Sequence, residues 1–242
     1  MTRLRGRIAL VTGASRGIGA EIAVRYAAEG AHVVLVARTV GGLEEIDDRV
    51  KAAGGTATLV PLDLKQFDGI DNLGLQLYQR FGRLDILVGS AGLLGSLSPL
   101  GHILPQVWDE VIAVNLTANW RLIRSMDPLL RRSEAGRVIF LTSGVTRSLP
   151  AYFGLYAASK AGLEALVLSY AAELANTPVR ANLVNPGPTR TKMRAQAFPG
   201  EDPTRLPPPA HVGDTMVALA EAAFTGNGLW IAADRPLDAQ QG

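Results

Sequence analysis

Three side chains in the second half of the sequence have the types and spacing for proton transfer. Tyr156 and Lys160 are four residues apart, so they would share one face of a helix predicted over residues 152–175. A phenol has a usual pKa of about 10, and a neighbouring ammonium favours its ionised form. Ser143, at the end of a predicted strand, could orient a substrate oxygen. The trio predicts acid–base chemistry by Tyr156, although Tyr-x-x-x-Lys alone also occurs as a packed tyrosine beside a solvated lysine.

A glycine-rich turn, residues 12–19 (TGASRGIG), joins the first predicted strand to the first predicted helix. Glycines at such a junction let the backbone approach a pyrophosphate, and the helix N-terminus attracts its charge. A tight turn whose glycines serve only packing is the alternative. The residues of this turn that we expect to bind a dinucleotide are Gly13, Ser15, Arg16, Gly17, Ile18 and Gly19.

Arg38 follows the second predicted strand, where an NAD-binding protein would carry an acidic residue for the ribose. The planar guanidinium matches the oxygens of a 2′-phosphate, and Arg16 could add a second cation. Unless both arginines are simply surface residues, the sequence predicts a preference for NADP(H), with NAD(H) as the alternative.

The turn spacing G-x-x-x-G-x-G, together with Ser143, Tyr156 and Lys160, resembles the short-chain dehydrogenase/reductase family over nearly the whole chain. The resemblance implies hydride transfer between a nicotinamide and a carbonyl or alcohol carbon, with Tyr156 moving the proton. It implies a fourth catalytic residue, Asn115, linked to Lys160 through a water relay. Residues 190–203 resemble a poorly characterised bacterial branch of the family.

The same resemblance implies further cofactor contacts beyond the glycine turn. The corresponding positions are Asp63 and Leu64 near the adenine, Ala91 and Gly92 after the fourth predicted strand, Tyr156 and Lys160 themselves, and Pro186, Gly187, Thr189 and Thr191 beside the nicotinamide. One departure is that Gly89-Ser90 stands where the family usually has Asn-Asn. This departure bears on the stability of the protein or on its affinity for the cofactor, and not on the catalysed reaction.

Apolar side chains flank the catalytic positions and predict a pocket for an apolar substrate, although core packing is an equally weighted alternative for each. They are Leu93, Leu94, Leu149, Tyr152, Phe153, Met193 and Phe198. The proline-rich segment 186–212 is predicted to be a lid over this pocket. Arg147, Arg190 and Arg194 would either meet an acidic group or be solvated.

The elements that must position these residues alternate between apolar runs and helical patterns. The predicted strands are 7–12, 32–37, 57–62, 84–88, 137–142, 179–184 and 228–232, and the longest predicted helices are about 106–131 and 152–175. Continuous apolar strands are typical of a parallel sheet buried on both faces. We therefore predict a single α/β domain over residues 1–242. Its fold would be Rossmann-type and doubly wound, with a mainly parallel seven-stranded sheet in a three-layer α/β/α arrangement.

Composition excludes several other classes of function. The 24 basic and 22 acidic residues are interspersed, which argues against a nucleic-acid partner. The absence of cysteine excludes disulfides, thiol nucleophiles and thiolate metal sites, and the three histidines lack metal-ligand spacing, so no metal is expected. No apolar run is long enough for a signal peptide or a membrane span, so we expect a cytoplasmic protein.

Small residues along helix 152–175 fit either packing against the sheet or a subunit interface, and the family resemblance implies a homodimer or homotetramer. The favoured function is an NADP(H)-dependent oxidoreductase acting on a small to medium apolar carbonyl or alcohol. The alternative is a catalytically silent dinucleotide-binding sensor or scaffold. An extended epimerase is disfavoured because the chain is too short for a second substrate domain.

Overall fold

The computed structural model describes residues 2–235, 237 and 240, so the predicted domain's residues 1, 236, 238, 239, 241 and 242 lie outside the described part. Seven strands form one sheet in the order β3-β2-β1-β4-β5-β6-β7, and each of its pairings is parallel. This confirms the predicted fold, with a sheet that is entirely parallel. The strands are β1 (Ile8–Thr12), β2 (His32–Ala37), β3 (Thr56–Pro61), β4 (Ile86–Gly89), β5 (Arg137–Leu141), β6 (Arg180–Asn185) and β7 (Trp230–Ala232).

Helices cover both faces of the sheet. They are α1 (Gly17–Ala28), α2 (Val40–Ala52), α3 (Phe67–Phe81), α4 (Pro105–Ile112), α5 (Ala118–Leu130), α6 (Val145–Ser148), α7 (Gly154–Glu173), α8 (Lys192–Ala197) and α9 (Gly213–Ala220). Alternate side chains of β1 enter two separate cores, Ala9 and Val11 on the side of α1, α2 and α9, and Ile8 and Leu10 on the side of α3, α5 and α7. Burial of strands on both faces explains their unbroken apolar runs.

The helix predicted over about 106–131 is interrupted. A π-helical turn, Ala113–Thr117, separates α4 from α5 and carries the buried Asn115. Such turns insert an extra residue into a helix and are frequent at functional sites. The apolar pattern continues through the turn, which is why the sequence reads as one helix.

The proline-rich segment contains more helix than a loop prediction suggests. After β6 it forms α8 and two short 3₁₀ turns, Pro203–Arg205 and Pro209–Val212. Thr191 caps α8, since its Oγ1 accepts a hydrogen bond from Arg194 N at 3.1 Å. The prolines therefore begin short helical turns, in agreement with their preference for the first helical position.

Within residues 2–235, 237 and 240, each helix is too short or too polar to cross a bilayer. Nor do these residues bring three His, Cys, Asp or Glu side chains together as a metal site would need.

Candidate active site

The carboxyl ends of the parallel strands open into a cavity of about 970 Å³. This is the edge where open α/β sheets bind ligands. The cavity brings together nearly all the site residues expected from sequence, the exceptions being Asn115, Leu149 and Tyr152. Those lining it are Gly13, Ser15, Arg16, Gly17, Ile18, Gly19, Arg38, Asp63, Leu64, Ala91, Gly92, Leu93, Leu94, Ser143, Phe153, Tyr156, Lys160, Pro186, Gly187, Thr189, Thr191, Met193 and Phe198.

The glycine turn is built for close approach. A Cβ added to Gly13 would lie 2.9 Å from Ala91 Cα, and one added to Gly19 would lie 2.4 Å from Gly13 O. Gly17 has a φ of +59°, and its nearest neighbour to an added Cβ would be Thr191 Cγ2 at 3.8 Å, so the space beside it is open. The turn thus packs tightly on its protein side and leaves a shallow cradle on the cavity side, as a pyrophosphate requires.

Thr12, which was not among the predicted site residues, joins this turn to the segment after β4. Its Oγ1 accepts hydrogen bonds from Ser90 N at 3.1 Å and Ala91 N at 3.2 Å. Thr12 is fully buried at the end of β1, and a polar residue closing an apolar strand was the available signal. Its hydroxyl fixes the loop that carries Ala91 and Gly92.

The Gly89-Ser90 departure from the family pattern has a steric explanation. A Cβ at Gly89 would lie 2.0 Å from Phe140 Cδ1, so the buried Phe140 ring on neighbouring β5 fills the space where a larger side chain would stand. Thr12 still holds the following loop by two hydrogen bonds. At this place in the sheet, the Phe140 ring therefore occupies the space of the polar side chain that the family usually has.

Tyr156 and Lys160 lie on the first turns of α7, and both are buried. Lys160 Nζ donates to Leu141 O at 2.8 Å and lies 6.0 Å from the centre of the Tyr156 ring. This tether ties the ammonium to the end of β5. The sequence placed Ser143 at the end of this strand, but in the structure it follows Leu141, the last residue of β5, by two residues.

Burial dominates the acid–base properties of the pair. It raises the pKa of Tyr156 to about 12, and the hydrogen bond with Ser143 acts in the opposite direction. Burial lowers the pKa of Lys160 to about 8, opposed by the charge of Glu164. The sequence predicted that the ammonium would favour the ionised phenol. In this structure burial raises the pKa of Tyr156 instead, and the opposing effect comes from the Ser143 hydroxyl.

Asn115 lies behind the cavity wall and acts as a clamp. Its Oδ1 accepts from Leu93 N at 2.8 Å, while its Nδ2 donates to Leu93 O at 2.8 Å and Ser159 Oγ at 2.9 Å. A Cβ added to Gly92 would be 3.5 Å from Asn115 Oδ1 and 3.7 Å from Lys160 Nζ, so both groups flank the same residue. Asn115 thereby positions the wall of the cavity; a water relay to Lys160 stays a prediction.

Arg16 and Arg38 present their charges at the end of the cavity near β2. Both are exposed, and neither side chain has a hydrogen bond or ion pair with another residue of the described ranges. Two unpaired guanidinium groups next to the glycine turn make this end strongly attractive to phosphate.

The other end of the cavity is apolar. Leu94, Phe153 and Tyr156 form a buried cluster with Met193 and other apolar side chains packed against it. Phe198 stacks on Phe153 with ring centres 5.7 Å apart, joining the 186–212 segment to the start of α7. The apolar surface begins directly at the phenol.

Leu149 and Tyr152 do not belong to this wall. Leu149 is 68% exposed and Tyr152 61% exposed, and neither lines the cavity. Both have positive φ values, 44° and 72°, in the tight connection between α6 and α7. This backbone conformation accompanies side chains that are directed to solvent.

Of the three arginines that could meet an acidic group or be solvated, two have partners inside the protein. Arg194 forms two hydrogen bonds with Glu201, at 2.6 and 2.7 Å, and Arg147 lies over the Trp230 ring. Arg190 lines the cavity without a side-chain partner in the described part of the chain. Further contacts tie the segment together, with Arg190 N donating to Pro207 O at 2.9 Å and His211 Nε2 lying 2.9 Å from Pro186 O.

Comparisons with known proteins agree with this site. Residues 7–202 match the family model described as short chain dehydrogenase. The curated Escherichia coli protein called uncharacterized oxidoreductase YciK is 39% identical over 212 residues, which cover 86% of this chain and 84% of that protein.

Solved structures match over almost the full length. A Pseudomonas syringae chain described as a short chain dehydrogenase superposes with a TM-score of 0.93 at 40% identity, covering 96% of each chain. A Shigella flexneri 2a protein, solved in complex with NADP, has a TM-score of 0.93 at 36% identity, covering 97% of this chain and 99% of that one. By its sequence, its sheet and its site, the chain belongs to the short-chain dehydrogenase family.

Proposed function

We propose that this protein is an NADP(H)-dependent oxidoreductase that interconverts an apolar carbonyl compound and the corresponding alcohol. One observation carries the proposal: Ser143, Tyr156 and Lys160 line the same cavity as the glycine turn. A dinucleotide on that turn and a substrate oxygen at the phenol can therefore be bound together.

The cavity suits a nicotinamide dinucleotide. Gly17 leaves an open cradle, and Arg16 and Arg38 offer free cations for a 2′-phosphate. The Shigella relative that was solved with NADP supports the same preference, with NAD(H) as the weaker alternative. Pro186, Gly187, Thr189 and Thr191 would hold the nicotinamide end. When bound, the cofactor supplies or accepts the hydride.

The protein's own groups handle the proton. Ser143 donates a hydrogen bond that orients the substrate oxygen, and Tyr156 gives its phenolic proton to that oxygen during reduction. Lys160, held at Leu141 O, keeps a positive charge near the phenolate that remains. In oxidation Tyr156 takes the proton back. Burial of the site excludes water, which strengthens these electrostatic interactions.

The substrate would be small to medium and apolar. Leu94, Phe153 and Met193 surround the phenol, and Phe198 covers them from the 186–212 segment, which we propose acts as a lid. The charge of Arg194 is already neutralised by Glu201, so it does not call for an acidic substrate. Leu93 is retained as a wall residue, and Leu149 is not.

The test is a panel of ketones, aldehydes and alcohols assayed with NADPH and NADP⁺. We expect reduction of apolar carbonyls, with Tyr156→Phe lowering kcat by about 10²- to 10⁴-fold, the usual contribution of a general acid. Tyr152→Phe, an exposed tyrosine outside the cavity, is the matched control. NADPH binding without turnover of any panel compound would instead favour the silent sensor or scaffold.

We also infer a homodimer or homotetramer. Ala158, Ala161, Ala165 and Leu168 form an exposed stripe of small and apolar residues on α7, and Trp120 on α5 is 44% exposed. Small residues allow helices to approach closely across a symmetric interface. Light scattering of the purified protein tests this, and a monomer at micromolar concentration would contradict it.

A further inference from the structure

A buried carboxylate stands directly behind the catalytic groups. Glu164 lies on α7 one turn after Lys160 and is 8% exposed. Its Oε1 accepts hydrogen bonds from Thr142 Oγ1 at 2.6 Å, Thr146 Oγ1 at 2.8 Å and Trp230 Nε1 at 2.8 Å. One oxygen thus joins α7 to the end of β5, to α6 and to β7. Burying a carboxylate is costly, so this arrangement calls for a reason.

The loop that the carboxylate holds is the one that carries Ser143. Thr142, the preceding residue, is anchored by its side chain to Glu164. Gly144, the following residue, donates its N–H to Asn185 Oδ1 at 3.1 Å. Ser143 therefore sits between two fixed neighbours, and its hydroxyl has little freedom to leave the cavity.

The charge of the carboxylate decides which acceptor the Thr146 hydroxyl chooses. Its hydroxyl lies 2.9 Å from Ser143 O and 2.8 Å from Glu164 Oε1, but it has only one proton to donate. An ionised carboxylate is the stronger acceptor. With a neutral group at position 164, the Thr146 hydroxyl would donate to Ser143 O instead, and the link between α6 and α7 would loosen.

Thr142 also directly follows Leu141, whose carbonyl accepts the hydrogen bond of Lys160 Nζ at 2.8 Å. We propose that Glu164 is a positioning residue of the active site, whose carboxylate, by anchoring Thr142, holds both the Ser143 loop and the carbonyl that tethers Lys160. The inference rests on the proposed function, because the two groups that it positions are the ones that handle the substrate oxygen and its proton. Glu164 touches neither the cavity nor the reacting atoms.

The surrounding charges support this arrangement. Lys160, one turn earlier on the same helix, and Arg147 of α6, which lies over the Trp230 ring, are charged groups on the elements that meet Glu164. Arg137, the first residue of β5, and Glu173, the last residue of α7, stand at the far ends of those elements. The Glu164 charge raises the pKa of Lys160 against the effect of burial. Removing it should make the ammonium easier to deprotonate.

The experiment compares Glu164→Gln with wild type and with Glu173→Gln, the same change at an exposed position of the same helix. Turnover is followed with NADPH and acetophenone, an apolar aromatic ketone, across the pH range. We expect Glu164→Gln to lower kcat by about tenfold or more, a loss of about 1.4 kcal/mol of transition-state stabilisation, with KM for NADPH nearly unchanged. The alkaline limb of its pH profile should move to lower pH, because Lys160 loses its charge earlier.

A second readout does not depend on turnover. The chain has only four lysines, so ¹³C-labelled lysine resolves the titration of Lys160 by NMR. Its midpoint should fall in Glu164→Gln and stay at the wild-type value in Glu173→Gln. Thr142→Val, which removes one donor without touching the charge, should lower kcat and leave the Lys160 midpoint in place.

The outcomes separate the two proposals. If wild type reduces neither acetophenone nor any other panel carbonyl, the proposed function fails, while the Lys160 titration still tests Glu164. An unchanged midpoint in Glu164→Gln, or unchanged kcat in both Glu164→Gln and Thr142→Val of an active enzyme, overturns the positioning role. Equal melting temperatures of the variants exclude simple unfolding as the cause of a loss.

Discussion

Replacing Arg38 by aspartate should move the cofactor preference from NADPH towards NADH. Arg38 follows β2, lines the cavity and has no intramolecular partner in the described ranges, so its guanidinium is free for a phosphate. Aspartate at this position would repel the 2′-phosphate of NADPH. It would accept a hydrogen bond from the ribose hydroxyl of NADH instead.

The size of the effect follows from the exposure of the side chain. A hydrogen bond to a charged group contributes about 1.5–3 kcal/mol, which corresponds to about 10- to 150-fold in affinity. Because Arg38 is exposed, solvent screens the contact and places the loss near the lower end, about 10- to 30-fold. Arg16, which lies in the glycine turn and is also without a side-chain partner in the described part of the chain, would retain part of the affinity.

The assay is the ratio of kcat/KM with NADPH to kcat/KM with NADH, using the best carbonyl of the substrate panel. Arg5→Asp, an exposed arginine before β1 and outside the cavity, controls for the change in net charge. We expect the ratio to fall in Arg38→Asp and to stay constant in Arg5→Asp. An unchanged ratio in Arg38→Asp would refute the assignment of Arg38 to the 2′-phosphate.

Three further predictions concern the proton, the sheet and the lid. Burial lowers the pKa of Lys160 to about 8 and raises that of Tyr156 to about 12. Because Lys160 loses its positive charge as pH rises above about 8, kcat/KM for carbonyl reduction should fall there, and a flat profile to pH 10 would contradict this. Gly89→Ala should destabilise the protein by about 1–3 kcal/mol in calorimetry, and Phe140→Leu should recover part of the loss, whereas additive losses would show that the two positions are uncoupled. Phe198→Ala should raise KM for apolar carbonyls and leave the affinity for NADPH unchanged in fluorescence titration; a change in NADPH affinity alone would place Phe198 at the cofactor.

The strands, the glycine turn and the catalytic helix could be predicted because each leaves a local signal. Strands such as β1 and β2 are buried on both faces and therefore read as continuous apolar runs. Tyr156 and Lys160 share a face because their spacing matches one helical turn. Local spacing alone was sufficient for these elements.

Residues whose role depends on distant partners could not be found this way. Glu164 resembles any polar residue of a helix, since its donors come from distant places, namely α6, β7 and the residue that follows β5. Leu149 is close to Tyr156 in sequence, but its backbone turns left-handed and it lies outside the cavity. The π-helical turn around Asn115 changes hydrogen bonding without changing the apolar pattern, so periodicity does not reveal it.

The Phe153–Phe198 stack also bears on how readily the site exchanges its contents. An aromatic pair contributes about 0.5–1.5 kcal/mol beyond its buried area, so this pair alone would hold the segment shut by only about two- to twelvefold. The ties of Arg194 with Glu201, Arg190 N with Pro207 O and His211 with Pro186 O run within the segment itself. The ends of the segment are anchored outside it, since Gly187 N donates to Asn185 Oδ1 and Val212 is buried in the core beside α1. We therefore expect the part around α8 to swing as one preassembled flap between these anchored ends, held by the aromatic pair and by the packing of Met193 on the apolar cluster, so that thermal motion suffices for loading and discharge.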